Sequence, residues 1–149
     1  MRVWRAAPDE APAVASLLAG FRDHLGYDFP SDDSLLASVE RIIGRNDAEY
    51  LLAGDEEPLA VAQVRYRWSV WWDAEDCWIE DLFVREDARG SGLGRALMDA
   101  ALERAKVRGC RRVELDVNSE NTAALALYRS LGFQTGKMGG QDLLMRRRL

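Results

Sequence analysis

The sequence has few residues of the kinds that build disulfides, metal sites and nucleophilic centres. Its 149 residues include two cysteines, Cys77 and Cys110, and a single histidine, His24. Two cysteines without Cys-x-x-Cys spacing predict reduced thiols in the core and a cytoplasmic location. A catalytic thiol needs a nearby base, and the histidine is distant in sequence from both cysteines. We therefore expect neither a metal site nor a cysteine nucleophile.

Long apolar runs and an excess of positive charge are also absent. No run approaches the roughly 20 apolar residues that cross a bilayer, and residues 1–5 lead into a polar helix start without the features of a signal peptide. The net charge of −5 disfavours a nucleic-acid surface. With 48% apolar and 30% charged residues, the chain fits one soluble domain over residues 1–149, with neither nucleic acid nor a membrane as partner.

Strand and helix patterns alternate along the chain. β-Branched and aromatic residues predict strands at residues 2–6, 49–53, 59–66, 77–84 and 111–117, with closing strands at 133–134 and 142–148. Helical spacing predicts four helices, which begin near Pro8, Ser31, Leu93 and Asn121. The tip between the third and fourth strands, at residues 67–76, is rich in Trp and acidic side chains. The strand–helix–strand unit in the second half implies two parallel neighbouring strands.

A glycine-rich turn connects the strand at 77–84 to the helix that follows it. Gly90, Gly92 and Gly94 let the backbone turn sharply and leave its N–H groups uncovered. The first turn of a helix has unpaired N–H donors and a partial positive charge, so this junction suits a phosphate group. The Rossmann pattern does not fit, because its last glycine would fall on Arg95, and no P-loop Gly-Lys-Ser/Thr occurs.

Two motifs resemble those of the GNAT family of N-acetyltransferases. Arg89, Gly92 and Gly94 match the Arg-x-x-Gly-x-Gly of its acyl-CoA pyrophosphate loop, and an Asn-x-x-Asn is followed by Tyr128 and Leu-Gly-Phe. The resemblance implies a GNAT fold, an α/β domain with a mixed sheet of about six or seven strands and four helices. It implies acetyl-CoA as the acetyl donor and these donor-binding residues: Leu82, Phe83, Val84, Arg89, Gly90, Ser91, Gly92, Leu93, Gly94, Arg95, Asn118 and Asn121.

The tyrosine of the second motif has two interpretations. Asn121 and Tyr128 are about two helical turns apart, so they share one face of a helix. In the family, the tyrosine at this position protonates the departing CoA thiolate, which implies a catalytic role for Tyr128. Considered alone, it would also fit a core tyrosine packed beside Leu125 and Leu131.

Residues 79–84, Ile-Glu-Asp-Leu-Phe-Val, resemble a narrower branch, the diamine (spermidine/spermine) N-acetyltransferases. Strict alternation puts Glu80 on one face of the strand and Asp81 with Ile79 and Phe83 on the other, unless a β-bulge intervenes. An alkyl amine has a pKa of about 10.4 and is protonated at neutral pH, so a carboxylate can bind the ammonium and take its proton. We expect Glu80 to be the base and Asp81 the substrate anchor, although paired carboxylates also occur as ordinary polar strand residues.

Two aromatic residues are further acceptor-binding candidates. Trp72, in the tip, could hold a cation against its ring, contact a second subunit, or simply pack within the chain. Tyr27 lies in a loop that, by family analogy, borders the acceptor pocket. Because exposed aromatic residues favour interfaces, we also expect a homodimer.

The sequence as a whole predicts acetyl transfer from acetyl-CoA to a primary amine. The acidic balance favours a small cationic amine as partner, attacked directly in a ternary complex, because no acyl-enzyme nucleophile is evident. An aminoglycoside or a protein amine is an alternative acceptor. The alternative from another class is an acyl-CoA-binding sensor without turnover.

Overall fold

The computed structural model of the protein describes residues 1–136 and 142–149. Contacts divide the chain into two compact units, Met1–Leu115 and Asp116–Leu149. The first unit contains the strands β1 (Arg2–Arg5), β2 (Ala48–Gly54), β3 (Pro58–Ser69), β4 (Ala74–Val84) and β5 (Arg112–Leu115), and the helices α1 (Ala11–His24), α2 (Asp32–Ile42) and α3 (Leu93–Val107). The second unit contains the helix α4 (Thr122–Ser130).

The strands form one sheet in the order β1-β2-β3-β4-β5. Neighbours from β1 to β4 are antiparallel, and β5 is parallel to β4. The antiparallel pairs need only short turns, whereas a parallel pair needs a crossover, which α3 provides between β4 and β5. The predicted parallel pair is therefore confirmed.

Helices cover both faces of the sheet. We call face A the face that carries Tyr50, Gln63 and Asp81, and face B the opposite face. Buried side chains of α1 and α2 pack on face A against Leu52 and Phe83. The helix α3 contacts β2, β3 and β4 on face B, with its buried residues at helical spacing: Leu93, Leu97, Met98, Ala101 and Ala105. In the described residues, no helix is long and apolar enough to cross a membrane.

An ion pair on face B connects β2 to α3. The Glu49 carboxylate is buried and accepts hydrogen bonds from the Arg104 guanidinium at 2.5 and 2.7 Å. The Tyr66 hydroxyl donates a third hydrogen bond to it at 3.3 Å. Burial opposes ionisation of Glu49, but the hydrogen bonds and charge of Arg104, with the charge of Arg5, lower its pKa overall. Glu49 is therefore an ionised carboxylate at neutral pH.

The strand predictions need two corrections. The closing strands predicted at residues 133–134 and 142–148 are wrong, because no strand forms at these positions, and the sheet has five strands in the described residues instead of six or seven. An alternating pattern forms a strand only beside a partner strand, and the side chains from Leu143 to Met145 are exposed. The tip is also shorter than residues 67–76, because β3 extends to Ser69 and β4 begins at Ala74.

We expect Glu49→Gln to lower the free energy of unfolding by about 2 kcal/mol at pH 7. Loss of one partner from a buried ion pair costs more than this, but the Arg104 side chain is 39% exposed and its charge is partly screened by solvent. Since the folded state lowers the pKa of Glu49, its stabilising effect is present above the unfolded pKa and is lost as pH falls through the folded pKa. Thermal unfolding should therefore show a Tm difference that narrows between pH 7 and pH 3; a constant difference would contradict this account.

Candidate active site

A register shift between β3 and β4 positions the predicted carboxylates. Gln63 pairs with Asp81 and Val64 pairs with Ile79, so Glu80 is an additional residue in β4, as in a β-bulge. Since Gln63 and Val64 point to opposite faces, Asp81 lies on face A and Ile79 on face B. The prediction that Asp81 and Ile79 lie on the same face is therefore wrong, because the bulge interrupts the strict alternation of side chains.

The other edge of β4 opens at the same place. The ladder between β4 and β5 ends at the pair Ile79–Leu115. Beyond Ile79, residues 80–84 keep β3 on one side, and no described strand pairs with their other side. Backbone N–H groups on such an edge can donate to the carbonyl of a ligand, which is the requirement of an oxyanion site. Glu80 is exposed beside this edge and Asp81 is half-buried.

The remaining predicted donor-binding residues of β4 differ in burial. Leu82 and Val84 are half-buried, whereas Phe83 is buried on face A and stacks on Phe21 with ring centroids 5.4 Å apart. The Phe83 side chain is therefore part of the core between the sheet and α1. Any contact of Phe83 with a ligand at the open edge would involve its backbone.

The glycine loop follows β4 and leads into α3. A 3-10 turn at Glu86–Ala88 comes first, and the Ser91 hydroxyl donates to the Ala88 carbonyl at 2.5 Å. Gly90 and Gly92 have φ values of +77° and +88°, which side chains other than hydrogen disfavour. The loop thus needs glycine at both positions for its backbone conformation.

The start of α3 has the properties of an anion site. Gly92 is its N-cap residue, and no described side chain caps the helix. Among the described residues, a Cβ atom built at Gly90 meets no atom within 4 Å, and one at Gly92 meets only the Met1 Cε at 3.9 Å. The space in front of the first turn is therefore open, and its N–H donors fit a phosphate or pyrophosphate group. Leu93 is buried and anchors the helix, while Gly94 and Arg95 complete the turn.

The arginines around the loop differ in their partners. The Arg85 guanidinium donates to Asp87 at 2.8 and 2.7 Å and to Glu57 at 3.2 Å, so acidic side chains neutralise its charge. The Arg95 Nε lies 3.5 Å from the carboxylate of Asp99, four residues further along α3. The Arg89 Nε donates to the Val84 carbonyl at 3.2 Å, and in the described residues it has no acidic partner. Arg89 is therefore the arginine best suited to bind an anion.

In the second unit, both asparagines of the second motif order the start of α4. The Asn121 Oδ1 accepts a hydrogen bond from the Ala124 N–H at 3.1 Å and caps the helix. The Asn118 Oδ1 accepts from the Glu120 N–H at 2.8 Å in the preceding turn. The predicted cap is confirmed, because the side chain of Asn121 satisfies an otherwise unpaired donor.

Tyr128 lies near the end of α4. Its side chain is buried, and its ring centroid is 5.9 Å from that of Phe133. Burial raises the pKa of Tyr128, and the negative charge of Asp116 adds to this effect. The hydroxyl is therefore protonated at neutral pH and can act as a proton donor.

The two predicted aromatic acceptor residues lie in different places. Trp72 lies in the turn before β4, and the extended chain from Ala74 to Asp81 spans about 23 Å. Trp72 and Asp81 therefore do not share one site within the chain; instead, the Cζ of Arg112 lies 5.8 Å from the centroid of the Trp72 ring. Tyr27 lies in the loop after α1 with an exposed side chain.

Sequence reasoning missed a polar row across face A. Tyr50 pairs with Gln63, and Gln63 pairs with Asp81. Burial raises the pKa of Tyr50 to about 12, the charges of Asp81 and Glu80 contribute, and the charge of Arg65 opposes them. In the sequence, Gln63 stands out as a polar residue within the apolar pattern of β3. Its neighbours Tyr50 and Asp81 can be identified only from the register of β3 with β2 and β4.

The described residues contain no group of three or more His, Cys, Asp or Glu side chains placed to hold a metal ion.

Comparison with known proteins finds relatives among acetyltransferases. Over 134 residues, the chain is 31% identical to the aminoglycoside N(6')-acetyltransferase type 1 of Stenotrophomonas maltophilia, and the match covers 87% of this chain and 84% of that protein. A crystal structure of a candidate acetyltransferase from Arthrobacter sp. FB24 has a TM-score of 0.90 and 30% identity, covering 100% of this chain and 96% of that one.

An uncharacterized N-acetyltransferase of Methanocaldococcus jannaschii is 39% identical over 98 residues, which are 58% of this chain and 43% of that protein. The match thus spans less than half the length of that relative. None of these three relatives is described as a diamine acetyltransferase. Residues 15–133 match the acetyltransferase (GNAT) family profile, so the chain belongs to this family, whose members use acetyl-CoA as the acetyl donor.

Proposed function

We propose that the protein transfers the acetyl group of acetyl-CoA to a primary amine of a small cationic acceptor, by direct attack in a ternary complex. The observation that carries this proposal is the bulge in β4. It places Glu80 and Asp81 beside an open strand edge, and the same chain segment continues into the glycine loop and the uncapped start of α3. The candidate acceptor and donor sites thus lie along one continuous segment of the chain, which consists of a strand, a loop and the start of a helix.

The donor site follows from the family and fits the loop. Acetyl-CoA supplies an acetyl group that the thioester already activates, so the main task of the protein is alignment. We assign its pyrophosphate to the first-turn N–H groups of α3 and to Arg89. The open backbone of residues 82–84 would hold the thioester arm and polarise its carbonyl. Asn118 and Asn121 are assigned to the donor by the family motif alone.

The acceptor site must bind an ammonium and then remove a proton from it. Asp81, half-buried on face A, is suited to bind the ammonium, and the exposed Glu80 can take the proton directly or through water. The neutral amine then forms the new nitrogen–carbon bond as the carbon–sulfur bond breaks, and the second proton that the nitrogen loses on becoming an amide passes to solvent. Tyr128 would donate its hydroxyl proton to the departing thiolate.

Two alternatives remain testable. An aminoglycoside amine is a second acceptor class, supported by the Stenotrophomonas relative, which covers most of both chains. A sensor without turnover would bind acetyl-CoA and release no CoA with any amine. The exposed carboxylate of Glu80 at the open edge favours an enzyme over a sensor.

We expect Gly92→Val to weaken acetyl-CoA binding by more than tenfold. Valine disfavours the φ of +88°, and its side chain would occupy the open space before α3. The matched control is Gly109→Val, since Gly109 has a φ of +86° at the other end of α3 and equally open surroundings. Titration calorimetry should show weaker binding only for Gly92→Val, although both variants lose thermal stability. Equal affinities in the two variants would refute the assigned phosphate site.

We expect Glu80→Gln to lower kcat about 100-fold at pH 7, the usual scale for loss of a general base. Because the amine loses its proton in solution as pH approaches its own pKa, the rate of Glu80→Gln should recover at alkaline pH. The control is Glu103→Gln, which changes an exposed carboxylate on α3. CoA-thiol release measured from pH 6 to pH 10 tests this, and parallel pH profiles for native protein and Glu80→Gln would exclude Glu80 as the base.

We expect Tyr128→Phe to lower kcat about 100-fold while the Kd for acetyl-CoA stays within twofold, because only proton donation to the thiolate is removed. Tyr66→Phe is the matched control, since it removes another buried tyrosine hydroxyl, which donates to Glu49. An unchanged kcat in Tyr128→Phe would restrict Tyr128 to a packing role.

A further inference from the structure

Arg65 lies on face A, on the same strand as Gln63 and two residues further along. Its side chain is half-buried, and its charge acts on Asp47 and on the Tyr50 hydroxyl. Asp47 already receives two hydrogen bonds from Arg45, both at 2.7 Å. No carboxylate in the described residues forms an ion pair with Arg65. A guanidinium stays charged at all relevant pH values, and partly buried cations usually have a partner.

Groups of opposite charge lie near Gln63 on face A, with Arg65 two residues along β3 and Asp81 opposite Gln63 on β4. Asp81 and Glu80 act on Tyr50 with negative charge and Arg65 with positive charge. From strand geometry, the Cα atoms of Arg65 and Asp81 are on the order of 8 Å apart, two residues along β3 and one strand across. Side chains at this separation can reach the two ends of one small molecule that carries both charges.

Two buried polar side chains lie between these groups. Tyr50 is 2% exposed and Gln63 is 6% exposed, and neither side chain forms a hydrogen bond with the described residues. Gln63 can donate to a carboxylate and accept from an ammonium, and the Tyr50 hydroxyl can donate. Both side chains therefore have unused capacity for a ligand placed between the charges.

We propose that the acceptor is a zwitterion, an amino acid or a close analogue. Its ammonium binds Asp81 and Glu80, and its carboxylate binds Arg65. Gln63 and Tyr50 hydrogen-bond to it between the two charged ends. This inference rests on the proposed acetyl transfer to a primary amine, and it replaces the cationic acceptor with one that carries both charges. A polyamine or an aminoglycoside adds further positive charge, which Arg65 repels.

The test uses acceptors that differ only by a carboxylate. Lysine and cadaverine form one such pair, and phenylalanine and phenethylamine form another. We expect the native protein to use the amino acid of at least one pair with a kcat/KM about tenfold higher or more, the scale of a charged hydrogen bond. Arg65→Gln should remove this preference by lowering kcat/KM for the amino acid about tenfold, while the decarboxylated amine changes less than threefold.

The matched control is Arg67→Gln. Arg67 lies two residues further on face A, is exposed, and has Glu114 as its ion-pair partner at 3.5 Å. This variant should keep the native preference. A competition between equimolar lysine and cadaverine in the native protein, read by mass spectrometry of the acetylated products, gives the preference without any variant.

The outcomes separate this inference from the proposed function. If both amines of each pair are acetylated equally well, or if Arg65→Gln keeps the preference, the zwitterion inference is wrong and acetyl transfer to amines stands. If the decarboxylated amines or aminoglycosides are preferred, the inference is likewise wrong. If acetyl-CoA binds and no acceptor releases CoA, both the proposed function and this inference are wrong.

Discussion

The additional residue Glu80 in β4 decides what the candidate site contains. If Glu80 were paired regularly with Gln63, Asp81 would lie on face B with Ile79, where α3 packs against apolar side chains and a carboxylate would be costly to bury. Because Glu80 is left out of the ladder instead, Asp81 pairs with Gln63 on face A. A bulge also twists a strand locally, and the β4–β5 ladder ends one residue before Glu80, at Ile79. One inserted residue therefore accounts for the placement of the carboxylate and lies where the strand edge opens.

Contacts on face B hold the glycine loop in place. The buried stripe of α3, from Leu93 to Ala105, packs on face B, and the ion pair between Glu49 and Arg104 joins the same helix to β2. Because the glycine loop is the direct start of α3, fixing the helix on the sheet also fixes the loop relative to the bulge. A buried ion pair on face B thus helps to position the glycine loop.

Local signals predicted the conformation of the two motifs better than they predicted the sheet that supports them. The cap at Asn121 and the left-handed Gly90 and Gly92 depend on the residues themselves and their near neighbours, so the sequence was sufficient. Face assignments in β4 depend on register, which one inserted residue reverses. Residues 142–148 have a strand pattern but no neighbouring strand among the described residues. Trp72 and Asp81 are both predicted acceptor-binding residues, yet the extended segment of β4 from Ala74 to Asp81 lies between them.

The net charge of the chain and the charged groups near the candidate acceptor site give different expectations for the acceptor. The net charge of −5 suggested a cationic acceptor, but charges separated by more than about 8 Å are largely screened at physiological salt. Within that distance, the acceptor would meet Asp81 and Glu80 together with Arg65, and the buried Tyr50 hydroxyl is affected by all three. Net charge can attract an ammonium toward the protein from solution. On the proposed zwitterion model, selection among amines would depend on whether Arg65 attracts or repels a second charged group of the acceptor.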